Sequence, residues 1–85
     1  MACVTVYIRA FCPFCDFALA LLQEKGAPMT VIDATGCPEK RQEMIERAGR
    51  RTFPQIFVGE THVGGCDDLH DLDRLGRLDP LLQRA

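Results

Sequence analysis

An α/β fold, a small four-stranded mixed sheet flanked by three helices in the order βαβαββα, is predicted by three features of the chain. The hydrophobic period alternates between that of a strand and that of a helix. Glycine or proline marks almost every change of period. The 85 residues, 47% of them apolar, offer room for one hydrophobic core, so residues 1–85 are expected to form a single domain. Cys3 to Ile8, rich in β-branched and aromatic residues, is the first strand. From Pro13 the pattern turns helical, with Phe14, Phe17, Ala18, Leu21 and Leu22 at helical spacing, and it stops at Gly26 before Pro28. This helix is apolar around most of its circumference, so little of it is expected to face solvent. Met29 to Ile32 is the second strand. A helix joining two parallel strands must cross over right-handedly, which puts the turn between Ile8 and Pro13 at the C-terminal end of the first strand.

Pro38 suits the first position of a second helix that runs to about Ala48, with Gly49 as its stop and Met44, Ile45 and Ala48 as its narrow apolar face. Gln55–Val58 and Thr61–Val63 form a hairpin, because Gly59-Glu60 between them places glycine first, as a type II′ turn prefers. After Gly64-Gly65, Asp67 is the expected N-cap of a third helix whose Leu69, Leu72 and Leu75 make a core stripe.

Composition excludes several classes of function. Ten basic residues against twelve acidic ones give a formal charge of −2, too little positive charge to drive phosphate-backbone binding, so no nucleic-acid partner is expected despite Arg50-Arg51. The longest apolar run, Phe17 to Leu22, is far short of the roughly 20 residues that span a bilayer, and the N-terminus has no basic leader or apolar signal stretch. A cytoplasmic protein without a membrane partner is therefore expected. Five cysteines are an odd number and sit below the density of a disulfide-stapled secreted scaffold. In a reducing compartment they point to redox or metal chemistry.

Cys12-Pro13-Phe14-Cys15 carries that chemistry, because it follows a strand and opens a helix. Unpaired N–H groups and the helix dipole at such an N-terminus stabilise a thiolate as they would any anion. Cys12 lies at or before the first turn and Cys15 one turn further in, which assigns Cys12 as attacking thiolate and Cys15 as resolving thiol. Lowering a thiol's pKa from about 8.5 to about 5 raises its thiolate fraction at neutral pH roughly 30-fold but costs a similar factor in nucleophilicity. The gain lies in leaving, since a stabilised thiolate departs readily from a mixed disulfide. Spacing alone also admits a Cys3His zinc site formed by Cys12, Cys15, Cys66 and His70. The rigid, bulky Pro13-Phe14 and the lack of a second tight cysteine pair weigh against it.

Three blocks, Cys12-Pro13-Phe14-Cys15, Thr52-Phe53-Pro54-Gln55-Ile56-Phe57-Val58 and Gly64-Gly65-Cys66-Asp67-Asp68-Leu69, stand in this order across nearly the whole chain. In them the sequence resembles the bacterial dithiol glutaredoxins, of glutaredoxin 3 type, within the thioredoxin superfamily. The resemblance implies a thioredoxin-like fold and a glutathione-dependent thiol–disulfide oxidoreductase, with glutathione as reducing co-substrate and no tightly bound cofactor or metal. Its implied partners are disulfide-bonded or glutathionylated proteins, and its expected working form is a monomer. It also implies a cis Phe53-Pro54 bond that turns the Phe53 backbone toward the cysteines, where an extended substrate backbone can pair.

The implied glutathione contacts are Arg9, Phe14, Thr52, Phe53, Pro54, Gly65, Cys66 and Asp67. Gly64-Gly65 permits close approach of a ligand, the helix N-terminus that follows offers donors to a carboxylate, and Asp67 can meet an ammonium; the γ-glutamyl end of glutathione carries both groups. Arg9 stands where the family commonly has lysine and can grip the glycyl carboxylate with two N–H groups. Phe14 replaces a frequent tyrosine, and Phe53 a usually smaller aliphatic residue that leaves the groove wider. Cys3 reads as a small core residue, and Cys37 has no activating neighbour in sequence. Cys66, at a helix N-terminus beside the ligand, is expected to have an acidic thiol open to glutathionylation. His62 and His70 read as surface residues. The rival class is an iron–sulfur or zinc carrier, which in similar proteins usually has glycine or serine where Pro13 stands. A thioredoxin-like reductase has less support, because the chain has no tryptophan before the motif.

Overall fold

The computed structural model describes residues 1–84. It has four strands, β1 (Val4–Ile8), β2 (Met29–Asp33), β3 (Gln55–Val58) and β4 (Thr61–Gly64). Its helices are α1 (Pro13–Glu24), α2 (Pro38–Ala48), α3 (Cys66–Arg74) and α4 (Leu78–Gln83). The strands form one mixed sheet in the order β2-β1-β3-β4, with β1 parallel to β2 and antiparallel to β3, and β3 antiparallel to β4. The βαβαββ order read from the periodicity is therefore present. Gly59 takes a φ of 58°, as the first position of a type II′ turn requires, and the hairpin closes around it.

Strand alternation divides the core between the two sheet faces. Val4, Val6, Ile56 and Val58 pack with Ala18, Leu21 and Leu22 of α1, Leu69 of α3 and Leu78 and Leu82 of α4. On the opposite face Tyr7 and Phe57 pack with Met44 of α2, edge to face at 6.0 Å between the two rings. The narrow apolar stripe of α2 is enough because it has only this small cluster to cover.

Five sequence expectations change here. The third helix begins at Cys66 with Gly65 as its N-cap, so Asp67 lies inside the first turn. Its register then carries Leu75 past the helix end, where the side chain is exposed. The core position expected of Leu75 is taken by a fourth helix, α4, which buries Leu78 and Leu82. That helix is too short for a periodic signal and has Pro80 in its first turn, where the missing N–H costs nothing. Cys3 precedes β1 and is exposed, because its sulfur falls beyond the end of the cluster under α2. The first helix buries only Cys15, Ala18, Leu21 and Leu22, leaving Phe14 and Phe17 more than half exposed on its other side.

Candidate active site

The turn between β1 and α1 brings Cys12 to the N-cap of α1 in an extended conformation, φ −123° and ψ 95°. Pro13 occupies the first helical position, where its fixed φ suits the helix and no N–H is needed. The Cys12 sulfur then serves as the cap, accepting a hydrogen bond from the Cys15 N–H at 3.2 Å. Its other neighbour is the Phe53 carbonyl oxygen, 3.8 Å away. Cys15 is buried, and its thiol is pushed up to about 12 by burial first and by Cys12 second; the smaller effect of Arg9 runs the other way. At neutral pH Cys15 therefore keeps its proton.

The Phe53-Pro54 peptide bond is cis, as the resemblance implied. Thr52, Phe53 and Pro54 face α3 across a concave pocket of about 130 Å³, whose other walls are Phe14, Arg50, Gly65, Cys66, Asp67 and Asp68. Seven of the eight implied glutathione contacts thus line one depression beside the cysteines. Gly65 donates its N–H to Asp68 at 2.9 Å, and Arg50 donates to the same carboxylate oxygen at 3.0 Å. These two donors hold the Asp68 carboxyl below the usual carboxylate range. Gly64 has a φ of 116°, and a side chain there would run into the Asp68 carboxylate, so this position requires glycine.

The eighth contact, Arg9, lies outside that pocket. It lines a second, adjoining depression with Arg41, Arg51, Thr52 and Phe53, and its Nη1 donates to the carbonyls of Ala10 and Phe11 at 3.1 and 3.4 Å. Thr52 and Phe53 are the wall shared by the two depressions. Sequence reasoning did not place Arg41, Arg50 or Arg51 at the site. Arg50-Arg51 is visible as a pair beside Thr52-Phe53-Pro54, but only the fold turns the two arginines into different depressions. Phe11 was also missed; it is 98% exposed and has a positive φ of 56°, unusual for a bulky residue.

Cys66 overturns one expectation. Although it opens α3, it is buried, and burial together with the charges of Asp67 and Cys12 raises its thiol above the ordinary value. The helix N-terminus does not make this thiol acidic. Cys37 is the N-cap of α2 and half-buried, with its sulfur 3.8 Å from Glu39. The His70 side chain does not join the cysteines: among the described residues no three His, Cys, Asp or Glu side chains are gathered as a metal-binding group. The Cys3His alternative is therefore not assembled by this fold.

A buried cysteine at a helix N-terminus, a second one turn on and a cis-proline loop facing them form an arrangement suited to thiol–disulfide exchange. The glutaredoxin family model matches residues 4–63. Glutaredoxin 3 of Escherichia coli K12 is 51% identical over 83 residues, covering 98% of this chain and all of the relative. The solution structure of a glutaredoxin from Brucella melitensis superposes with a TM-score of 0.85 at 57% identity, over 98% of this chain and 90% of that one. A crystal structure of a buckwheat glutaredoxin–glutathione complex gives 0.84 at 28% identity, over 93% of this chain and 74% of that one. Fold and family together make the protein a thiol–disulfide oxidoreductase of thioredoxin-like architecture. From the family match across the Cys12–Cys15 turn, the sheet and the cis-proline loop, the chain belongs to the glutaredoxin family.

Proposed function

We propose that the protein is a glutathione-dependent thiol–disulfide oxidoreductase that reduces glutathione mixed disulfides and protein disulfides, acting as a single-domain monomer in a reducing cytoplasm. The observation that carries this reading is the position of the Cys12 sulfur, capped by the Cys15 N–H and facing the Phe53 carbonyl at the wall of the pocket. The buckwheat complex, a protein of the same fold with glutathione bound, supports the choice of reductant.

In the reaction, the Cys12 thiolate attacks the glutathione sulfur of a mixed disulfide. One S–S bond forms as another breaks, and the substrate thiolate leaves and takes a proton. Glutathione thiolate then attacks the glutathionyl sulfur on Cys12, releasing oxidised glutathione and restoring Cys12. On a protein disulfide, Cys12 first forms a mixed disulfide with the substrate. Cys15 then loses its proton to the departing thiolate and attacks the Cys12 sulfur, and two glutathione molecules reduce the resulting Cys12–Cys15 bond. The elevated Cys15 thiol fits this second place, since it stays protonated until a nearby base takes the proton.

Glutathione is bound by its two charged ends. The γ-glutamyl carboxylate meets the N–H groups of Cys66 and Asp67 in the first turn of α3, the Gly65 N–H being held by Asp68, and the Asp67 carboxylate takes the ammonium. Thr52, Phe53 and Pro54 pair with the peptide backbone, Cys66 and Phe14 complete the wall, and Arg9 grips the glycyl carboxylate. Turnover of the mixed disulfide of glutathione and 2-mercaptoethanol tests the reading. Cys12→Ser is expected to abolish it, while Cys15→Ser keeps this monothiol reaction and loses reduction of protein disulfides. Activity retained by Cys12→Ser overturns the assignment.

A further inference from the structure

Gln55 is the only buried polar or charged residue among those described, with none of its surface exposed. It opens β3 directly after the cis-proline loop, and each polar atom of its side chain has a partner. The amide Nε2 donates both hydrogens to Thr52, one to the carbonyl oxygen at 3.0 Å and one to the hydroxyl at 3.1 Å. Because a carbonyl only accepts, this contact fixes which way round the amide lies. Oε1 must then face His62, and the 2.8 Å contact between them requires the proton on His62 Nε2.

The hairpin register brings His62 to this position: Val58 pairs with Thr61 and Phe57 with His62 on either side of the Gly59-Glu60 turn. His62 therefore lies on the face of Gln55 and Phe57, with its ring 4.9 Å from the Phe57 ring, and beyond it Val63 is left over as a bulge before Gly64 pairs with Ile56. A chain of contacts runs from Phe57 through His62 and Gln55 to Thr52, the residue shared by the walls of both depressions at the site. Burying an amide costs free energy unless every hydrogen bond is made, and an apolar side chain would fill the same space without that risk. The fully satisfied amide has its structural effect on one residue, Thr52.

We propose that Gln55 is a positioning residue for glutathione binding, clamping the carbonyl and the hydroxyl of Thr52 so that Thr52 and Phe53 present a fixed backbone to the substrate, with His62 as the donor that orients Gln55. The clamp is independent of pH across the physiological range. Protonating His62 adds a hydrogen at Nδ1 and leaves the Nε2 donor in place, and burial with Arg50 nearby keeps the ring neutral in any case. Arg50, Asp68 and the Phe57 ring are the groups that face His62.

This role rests on the proposed glutathione reaction, so its test includes a readout independent of turnover. Gln55→Met keeps length and volume but removes all three hydrogen bonds. His62→Phe keeps the ring against Phe57 and removes only the donor, and His62→Gln restores a donor. In the full chain, at a temperature where circular dichroism shows each variant folded, Gln55→Met is expected to raise KM for the mixed disulfide of glutathione and 2-mercaptoethanol about fivefold or more, with kcat changed much less. His62→Phe shifts KM in the same direction by a smaller factor, and His62→Gln recovers part of the loss. Backbone 15N relaxation reports lower order at Thr52 and Phe53 in Gln55→Met, with the rest of the sheet unchanged. Unaltered order at Thr52 and Phe53, or a KM within twofold of the parent in folded Gln55→Met, overturns the proposal. Should Gln55→Met not fold, the same two readouts on His62→Phe against His62→Gln decide it. A parent chain that does not turn over the mixed disulfide removes the proposed reaction, and the relaxation data still judge the clamp.

Discussion

Cys12 and Cys15 are chemically alike and three residues apart, and their surroundings divide them. The Cys12 sulfur takes the place an oxygen holds in an ordinary N-cap, accepting the Cys15 N–H. Cys15 is enclosed by the body of α1 and the sheet, and its thiol moves up to about 12. The elevated value makes alkaline stability depend on this residue. An unfolded cysteine ionises near 8.5, so above that pH the unfolded chain releases a proton that the folded chain retains. The stability contributed by Cys15 is fully present below that value and is lost as pH rises toward 12. In chemical denaturation under reducing conditions, the midpoint is expected to fall between pH 9 and 11 in the parent and to fall less in Cys15→Ala. Equal slopes in the two proteins would show that Cys15 ionisation is not responsible.

Among the elements, the start of α3 is held by contacts that a capping side chain would otherwise supply. Gly65 can have no capping side chain, and Asp68 reaches back to accept its N–H while Arg50 fixes the same carboxylate from the far side of the pocket. The Asp68 carboxyl is lowered by these partners, so its stabilising effect is present above the usual carboxylate pKa of about 3.9 and disappears as pH falls below it. The pair is half exposed, which keeps its contribution to stability modest. Asp68→Asn is expected to lower Tm by only a few degrees at pH 7 and by progressively less as pH falls below the usual carboxylate pKa, as scanning calorimetry over a pH series would establish. The same substitution frees the Arg50 side chain at the pocket wall, and a several-fold rise in KM for glutathione is the expected kinetic consequence. The motif Gly64-Gly65-Cys66-Asp67-Asp68 was legible as a helix start, because glycines followed by acidic residues suit a helix N-terminus. The identity of the cap was not legible, since Gly65, Asp67 and Asp68 all fit near a helix N-terminus and only the exit direction of β4 selects among them.

Over the whole molecule, α4 closes the sheet face that carries α1 and α3. Leu78 and Leu82 complete the core there, and the Ala2 N–H donates to the Leu82 carbonyl at 2.8 Å, joining the two ends of the chain. Lys25, just past α1, bridges to Asp73 of α3 at 2.7 Å and Asp79 of α4 at 2.9 Å. Among the described residues no helix is long and apolar enough to cross a membrane. A chain of 85 residues buries a small core, so deleting one of its leucines removes a large share of the stability. Leu82→Ala is expected to cost about 2–5 kcal/mol, measurable by urea denaturation. Lys25→Met, which removes only partly exposed ion pairs at the surface, is expected to lower stability far less than Leu82→Ala. A Leu82→Ala loss as small as that of Lys25→Met would mean that α4 is not part of the cooperative core.

The order of the strands and of the first three helices was legible along the chain, as was the placing of two cysteines at the start of a helix in Cys12-Pro13-Phe14-Cys15. Each of these rests on local rules: the period of apolar residues, proline at a helix start, and glycine where the chain reverses. Tertiary structure alone decided which thiols are buried, and so reversed the expectation for Cys66 and for Cys3. It also decided the sorting of Arg9, Arg41, Arg50 and Arg51 between two depressions, and the meeting of Gln55 with His62. These outcomes depend on burial and on neighbours distant in sequence, and the pattern along the chain contains neither. The pairing of His62 is the clearest case: the hairpin register sets it opposite Phe57 and within reach of Gln55, and nothing in the alternation of Thr61, His62 and Val63 names that partner.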